Sequence, residues 1–432
     1  MIAALSRLPR LLRVSLLVLP VLLGAPGPAR AAGDPIVRPG YWNKGKVPKG
    51  WVVVESEHYH VQSEIGEEKA RGLVEHLESV HACYEEFLPT RRKSEQFVLK
   101  MFATRKEFCE YGGFKITDGP LAYYNQSSKE LVGYDTGVIL GKRDIPAKLE
   151  LAPDCKTAFT DKEKARLKQL FEQITDAYTM DEARILSHEG WHQYFHNYTI
   201  SWVSMPSWLD EGVGDYFFTA TKDEQNSDGE HGYRLGDINE LRLRAVRRGL
   251  FEGSAVDFHT LLGFDQEQYY SNRGVFYAQG WSMVEFLLEH KDPAYRALIP
   301  KLIKDFKDSK NFRKSTEKVF KGIDMAALDK EWLAWLLSRP ITDPFLDFAR
   351  EFGDRLKPDD ITWADEKYIK LYQWYLDHKD YRLDTLTTHS SDAADPPKAD
   401  DADKPGKSDA SDKPEKAKPS KPSGSAPGGG GR

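Results

Sequence analysis

Strand signals and helix signals occupy different stretches of this 432-residue chain, and that segregation restricts its fold more than any other feature. Trp51 to Val61 is rich in Val and aromatics and reads as one or two strands, and Gln96 to Phe102 reads as a short apolar strand. Leu121 to Tyr124 and Glu130 to Tyr134 flank a polar turn at Asn125 to Lys129, the pattern of a hairpin. Between the first two strand signals, Leu73, Leu77, Val80, Tyr84 and Phe87 recur every three or four residues, as on a helix with one buried stripe. Past residue 156 the periodicity is helical. Residues 156–178 read as a charged surface helix, and after Gly280 the stripes Met283/Phe286/Leu287, Leu298/Leu302/Phe306 and Leu328/Trp332/Leu336 read as core. A last helix is expected over 363–376, with Tyr368, Leu371 and Trp374 inward. Strands gathered in one region and helices in another define the α+β class. The expected architecture is a small mixed sheet-plus-helix lobe over 32–155 and a mainly helical lobe over 156–385.

The two ends of the chain do not contribute to that core. Residues 1–31 combine Arg7, Arg10 and Arg13 with an apolar run from Val14 to Leu23 and close on Ala29-Arg30-Ala31. The run is too short to span a bilayer as a helix, so the segment has the form of a cleavable secretory signal, with the mature chain starting at Ala32. This places the protein outside the cytoplasm, secreted or in the cell envelope, with no membrane span after cleavage. From His389 the sequence offers no aliphatic or aromatic side chain larger than Ala, so it cannot offset chain entropy by burial, and 386–432 is expected to be a disordered tail.

Composition removes some classes of partner. With 61 basic and 67 acidic residues the net charge is −6, which gives no electrostatic reason to expect nucleic acid or an anionic membrane. The local cluster Arg242, Arg244, Arg247 and Arg248 reads as a solvated helix face. Cys83, Cys109 and Cys155 are widely separated and form no Cys-x-x-Cys pair, so thiolates are poor metal ligands here. One disulfide with a leftover thiol, or three free thiols, are both open.

The chemistry is concentrated in Ser187-His188-Glu189-Gly190-Trp191-His192-Gln193. Two imidazoles four residues apart on a helix project from one face and can share a metal ion, with the intervening Glu189 able to act on a water bound to it. Thr179-Met180-Asp181-Glu182 has the capping-box form and marks where that helix is expected to begin. A catalytic zinc takes three protein ligands and keeps one position open. The third is sought in Pro206-Ser207-Trp208-Leu209-Asp210-Glu211-Gly212-Val213-Gly214-Asp215, which opens with a helix-start signal. Glu211 suits the metal, and Asp215, one turn on, suits the free N–H of His188 or His192. Two imidazoles and one carboxylate favour a single Zn²⁺, although Co²⁺, Mn²⁺ or Fe²⁺ accept the same set.

The string His188-Glu189-x-x-His192, eighteen residues, then Glu211 within Trp208-Leu209-x-Glu211-Gly212 resembles the zinc site of the gluzincin metallopeptidases. Tyr277-Ala278-Gln279-Gly280-Trp281 is similar to the Tyr-x-x-Gly segment in which those enzymes place a tyrosine that hydrogen-bonds the reaction intermediate. The nearest likeness is to secreted bacterial peptidase-MA-like proteins, over roughly residues 50–340. The resemblance implies His188, His192 and Glu211 as zinc ligands, Glu189 as general base, Tyr277 as stabilising donor, and a zinc cleft between the two lobes. It also implies a peptide or protein substrate whose backbone pairs with an edge strand near the zinc helix. A Gly-x-Met-Glu-Asn stretch, the amino-terminus anchor of the aminopeptidases, is missing, so exopeptidase specificity does not carry over. Two other readings stand beside this one: an exported binding or scaffold module that keeps the zinc site without turnover, and hydrolysis of a non-peptide amide or epoxide. His196 matches no ligand position of the pattern, and His231 lies in a polar, glycine-punctuated loop between Thr221 and Gly236.

Overall fold

The computed structural model describes residues 37–383 apart from 43–46, 91–95, 118, 144–148, 199–204, 223–231 and 364–365. The signal-like segment, the low-complexity tail and His231 therefore lie outside the described residues. Five strands form the main sheet: β1 (Val52–Glu55), β2 (Tyr59–Ser63), β3 (Phe97–Phe102), β4 (Tyr123–Asn125) and β5 (Glu130–Tyr134). Their order is β1-β2-β3-β5-β4. The β1/β2 and β4/β5 pairs are antiparallel while β2/β3 and β3/β5 are parallel, so the sheet is mixed, as the sequence suggests.

Period-two alternation gives the sheet two buried faces. Tyr59, Val61, Phe97, Leu99, Met101 and Leu131 join one large core cluster beneath α1 (Glu67–Phe87). Phe102, Val132 and Tyr134 face the other way, onto α2 (Arg105–Gly112), Trp42 and Trp51. Lys100, also on that second face, is fully buried; its Nζ donates to Glu130 Oε1 at 2.6 Å and to the Arg38 carbonyl at 3.0 Å, which ties the incoming chain to the sheet. On α1, Leu73, Leu77, Val80 and Tyr84 are wholly buried and Phe87 partly so, matching the expected stripe. Each such side chain is worth ~1.5–3 kcal/mol of burial.

The helical region begins with α3 (Asp161–Tyr178) and continues through α4 (Glu182–Tyr198), α5 (Ser207–Phe217), α6 (Glu240–Glu252), α7 (Phe258–Leu262), α8 (Gln266–Ser271) and α9 (Arg273–Leu288). Three expectations need correction here. The helix carrying the two histidines is capped by Asp181, whose Oδ1 accepts from Ala183 N at 2.9 Å, while Thr179 instead terminates α3. A preceding helix ending at Tyr178 leaves Thr179 no room to start another. Next, α3 is more than a surface helix: Leu167, Leu170, Phe171 and Ile174 bury against Pro344–Phe352 and Glu366–Asp377 in a separate aromatic-rich cluster.

The arginines of α6 are the third correction, because the helix lies inside the molecule. Arg244 and Arg247 are 1% and 2% exposed. Arg247 Nη2 donates to the carbonyls of Leu336, Leu337 and Arg339, closing the C-terminal end of helix Met325–Ser338. Arg244 Nε donates to Thr342 O at 2.9 Å, and Arg248 Nη1 to the Tyr375 hydroxyl at 2.9 Å. The Arg247 guanidinium thus satisfies helix-end carbonyls that would otherwise be buried without a partner.

The stripes expected after Gly280 are all buried, as is Tyr368 of the last helix, whereas Leu371 and Trp374 are only partly so. No disulfide joins the three cysteines: Cys83 and Cys109 are buried, and Cys155 donates to Asp360 Oδ1 at 3.3 Å. Among the described residues no helix is long and apolar enough to cross a membrane.

Candidate metal centre

Close approaches at four glycines decide where the site lies. A Cβ placed on Gly212 of α5 would stand 2.8 Å from the Gly280 carbonyl and from Val284 Cγ2 of α9, and one on Gly280 would meet Tyr269 Oη at 2.8 Å and Trp208 O at 3.1 Å. The glycines of the two downstream motifs therefore let α5 and α9 pack backbone to backbone, which brings the Tyr277 turn alongside Glu211. Gly190 similarly lets α4 sit against the Tyr84 hydroxyl, and Gly214 leaves room for the His188 ring, whose atoms would lie 2.9–3.0 Å from an added Cβ. With Trp191, Tyr194 and Phe195 buried on its other sides, α4 is enclosed and its two ring-bearing turns face α5.

The convergence is tight. His188 Nε2 stands 3.1 Å from His192 Nε2 and 3.2 Å from Glu211 Oε2, and the third edge, His192 Nε2 to Glu211 Oε2, is 3.6 Å. A cation about 2.0–2.1 Å from each of three tetrahedral ligands sets those ligands roughly 3.3–3.4 Å apart, so the triangle has the size of one face of a tetrahedral zinc shell. The outer nitrogens point to the same conclusion. His188 Nδ1 is 3.1 Å from Asp215 Oδ1 and His192 Nδ1 is 3.0 Å from Asp210 Oδ1, so each ring gives its N–H to a carboxylate and turns a lone pair inward. With both rings neutral, three lone-pair atoms meet there, an arrangement that a cation relieves. The residues fit a zinc-type ion.

Without a cation, protons take its place on the rings. Burial works against the charged His188 ring, but its hydrogen bonds to Asp215 and Glu211 outweigh that and hold it up to about 9. His192 is likewise raised, by Asp210 and Glu211 against burial, and both carboxylates are held well below their usual range despite burial. Asp215 is fixed in turn by Arg242, whose Nε lies 2.7 Å from Oδ2. His196 Nε2 shares Asp210, 3.1 Å from Oδ2, and so serves the carboxylate rather than the triangle.

Glu189 lies beside the ligands and beneath the edge of the sheet. Its Oε2 accepts the Tyr124 backbone N–H at 3.0 Å, so on β4 that N–H points away from β5 and towards the site. Burial pushes its carboxyl up, against the pull of His192 and His188. The remaining oxygen of Glu211, Oε1, accepts from the Tyr270 hydroxyl at 3.0 Å. Tyr277 is hydrogen-bonded to Tyr270 in turn, its ring 5.9 Å from that of Tyr270 and capped by the Arg242 guanidinium at 5.1 Å. Burial and the Glu211 charge push its phenol far above the usual range, so it is a protonated donor at any ordinary pH.

The structure thus brings His188, His192, Glu211 and Asp215 into one group with Glu189 beside them, and reaches Tyr277 through Tyr270. Sequence reasoning gives Asp210 no role, reads Arg242 as part of a solvated helix face, and does not single out Tyr270 or Tyr124. Asp210 adjoins Glu211 and carried at least a positional hint. Tyr270 sits on a separate short helix, and no spacing rule links it to Glu211.

Such a constellation, two imidazoles and a carboxylate with carboxylate-anchored outer nitrogens, is a candidate mononuclear metal centre on an α+β scaffold. Residues 182–305 match a family described as protein of unknown function (DUF1570), a stretch that holds all three ligand candidates, both anchoring aspartates, Tyr270, Tyr277 and Arg242. No curated protein and no solved structure matches the chain.

Proposed function

We propose that this chain is an exported zinc-dependent peptidase of gluzincin type, with His188, His192 and Glu211 holding one zinc ion. The observation that carries the reading is the inward convergence of three lone-pair atoms at tetrahedral spacing while both outer ring nitrogens are tied to aspartates. When bound there, the ion lowers the pKa of a water ligand to around 7 and polarises a substrate carbonyl.

The chain's own groups supply the rest. Glu189, partly shielded and with a raised pKa, takes a proton from the attacking water and returns it to the leaving amine. Tyr277, permanently protonated, donates to the oxyanion as it forms, and Tyr270 holds Glu211 so that its other oxygen stays on the ion. An extended substrate is favoured by the exposed edge of β4, the last strand of the sheet, whose Tyr124 amide already points at the site.

Metal analysis combined with a mixed peptide library, with and without chelator, tests this. Wild type should bind zinc and hydrolyse peptides, and Glu189→Gln should keep the zinc and lose turnover. Equal hydrolysis by the two proteins would refute the assignment. Zinc binding with no hydrolysis of any library member by wild type would favour a binding module instead.

A further inference from the structure

A second group of potential ligands lies at the β1–β2 turn and α1 and shares no residue with the site just described. His58, in the turn between β1 and β2, meets His81 and Glu85 of α1, and one ligand atom from each lies within 4.8 Å of the others. The arrangement around His58 is directional. Its backbone N–H donates to Glu78 Oε1 at 2.8 Å and its Nδ1 stands 2.7 Å from Glu78 Oε2, so the same carboxylate fixes both turn and ring. That leaves Nε2 with its lone pair exposed, the state in which carboxylate-anchored histidines bind metals.

His81 supplies a second, independent observation. It is 1% exposed, and neither of its ring nitrogens has a hydrogen-bond partner among the described residues. Tyr59, Phe97, Tyr194 and Tyr198 surround it edge-on or tilted, and His58 stacks on it at 3.9 Å between centroids. A polar ring enclosed by aromatics with both nitrogens idle costs ~1–3 kcal/mol unless something binds it. A leucine would pack there without that cost.

We propose that His58, His81 and Glu85 form a second, structural site for a late first-row divalent cation such as Zn²⁺, with Glu78 orienting His58. The ligand set, two imidazoles and a carboxylate, suits those ions over Mg²⁺ or Ca²⁺. Binding draws the ligand atoms together to roughly 3.3 Å. His81 is the fixed point, and the partly exposed His58 and exposed Glu85 move to it. The cation would staple the β1–β2 turn to α1 at the place where α1 packs against Tyr194 and Tyr198 of α4. It therefore braces the helix that carries the other site without taking part in chemistry.

The test is zinc stoichiometry on the full chain after exhaustive dialysis, in wild type, His58→Ala, Glu85→Ala and His188→Ala. Expected are two equivalents in wild type and one in each of the three variants, with a lower Tm for metal-loaded His58→Ala than for metal-loaded wild type. His58 and Glu85 reach the surface, so their loss does not threaten folding, and peptide hydrolysis by His58→Ala should match wild type. One equivalent in wild type that survives His58→Ala and disappears in His188→Ala would overturn the second site and leave the proposed peptidase centre standing. One equivalent that survives His188→Ala and disappears in His58→Ala would do the reverse.

Discussion

Asp210 and Asp215 bracket Glu211 on α5, and each takes the outer nitrogen of a different histidine. Neither carboxylate belongs to the triangle, yet each anchors the outer nitrogen of a ring that does. Asp210→Asn and Asp215→Asn should therefore each weaken zinc binding roughly 10–100-fold with the fold intact, read by competition against a chromogenic chelator. Tyr270→Phe belongs with them, since it frees Glu211 Oε1. Tyr277→Phe should behave differently, keeping zinc affinity while kcat drops ~10²–10³-fold, because its phenol stabilises only charge that develops during reaction. Proton linkage gives a separate check on the same rings. In metal-free protein the raised His188 pKa contributes stability that is fully present below the unfolded value of about 6.5 and is lost as pH climbs through about 9. The Tm of chelator-treated protein should thus fall between those limits, while zinc binds more tightly over the same interval as competing protons leave. A flat Tm across that range would contradict the pairing of His188 with Asp215 and Glu211.

Between elements, the site depends on how closely α5 approaches its neighbours. Gly212→Ala forces a methyl into the Gly280 carbonyl and Val284, and should cost ~1–3 kcal/mol by thermal unfolding as α5 and α9 separate. Gly214→Ala presses on the His188 ring instead, so its main effect should be on metal affinity. The sequence made the elements themselves readable, because period-two and period-3.6 patterns report burial on one face: β1 to β5, α1, α4 and α5 all lie where those patterns put them. The ligand spacing was readable for the same reason, being local to two helices. What escaped depends on contacts between segments far apart in the chain. Tyr270 and Arg242 meet Glu211 and Asp215 only after α8, α6 and α5 have packed, and the α6 arginines look solvated until the helix-end carbonyls they satisfy are known. Asp181 displaced Thr179 as cap because α3 runs to Tyr178, a boundary that local propensity leaves open by a few residues.

At the scale of the whole molecule, buried guanidiniums join the last third of the chain to its centre. Arg247→Met would strand the carbonyls of Leu336, Leu337 and Arg339 without a donor, and should lower stability by ~2 kcal/mol or more in denaturant titration. The largest apolar cluster is equally indifferent to sequence order: Leu73, Leu99 and Leu131 from the sheet region pack in the same body as Trp191, Phe195, Trp281 and Leu336. One consequence concerns the stretch 182–305, which contains every catalytic and ligand residue of the proposed peptidase centre but none of the five strands or α1. Cut out and expressed by itself, that stretch would leave Trp191, Tyr194 and Phe195 bare to water, and it should appear as insoluble or molten material that binds a dye such as ANS. The family match spans the segment that holds the candidate site, but autonomy belongs to the larger body that shelters it.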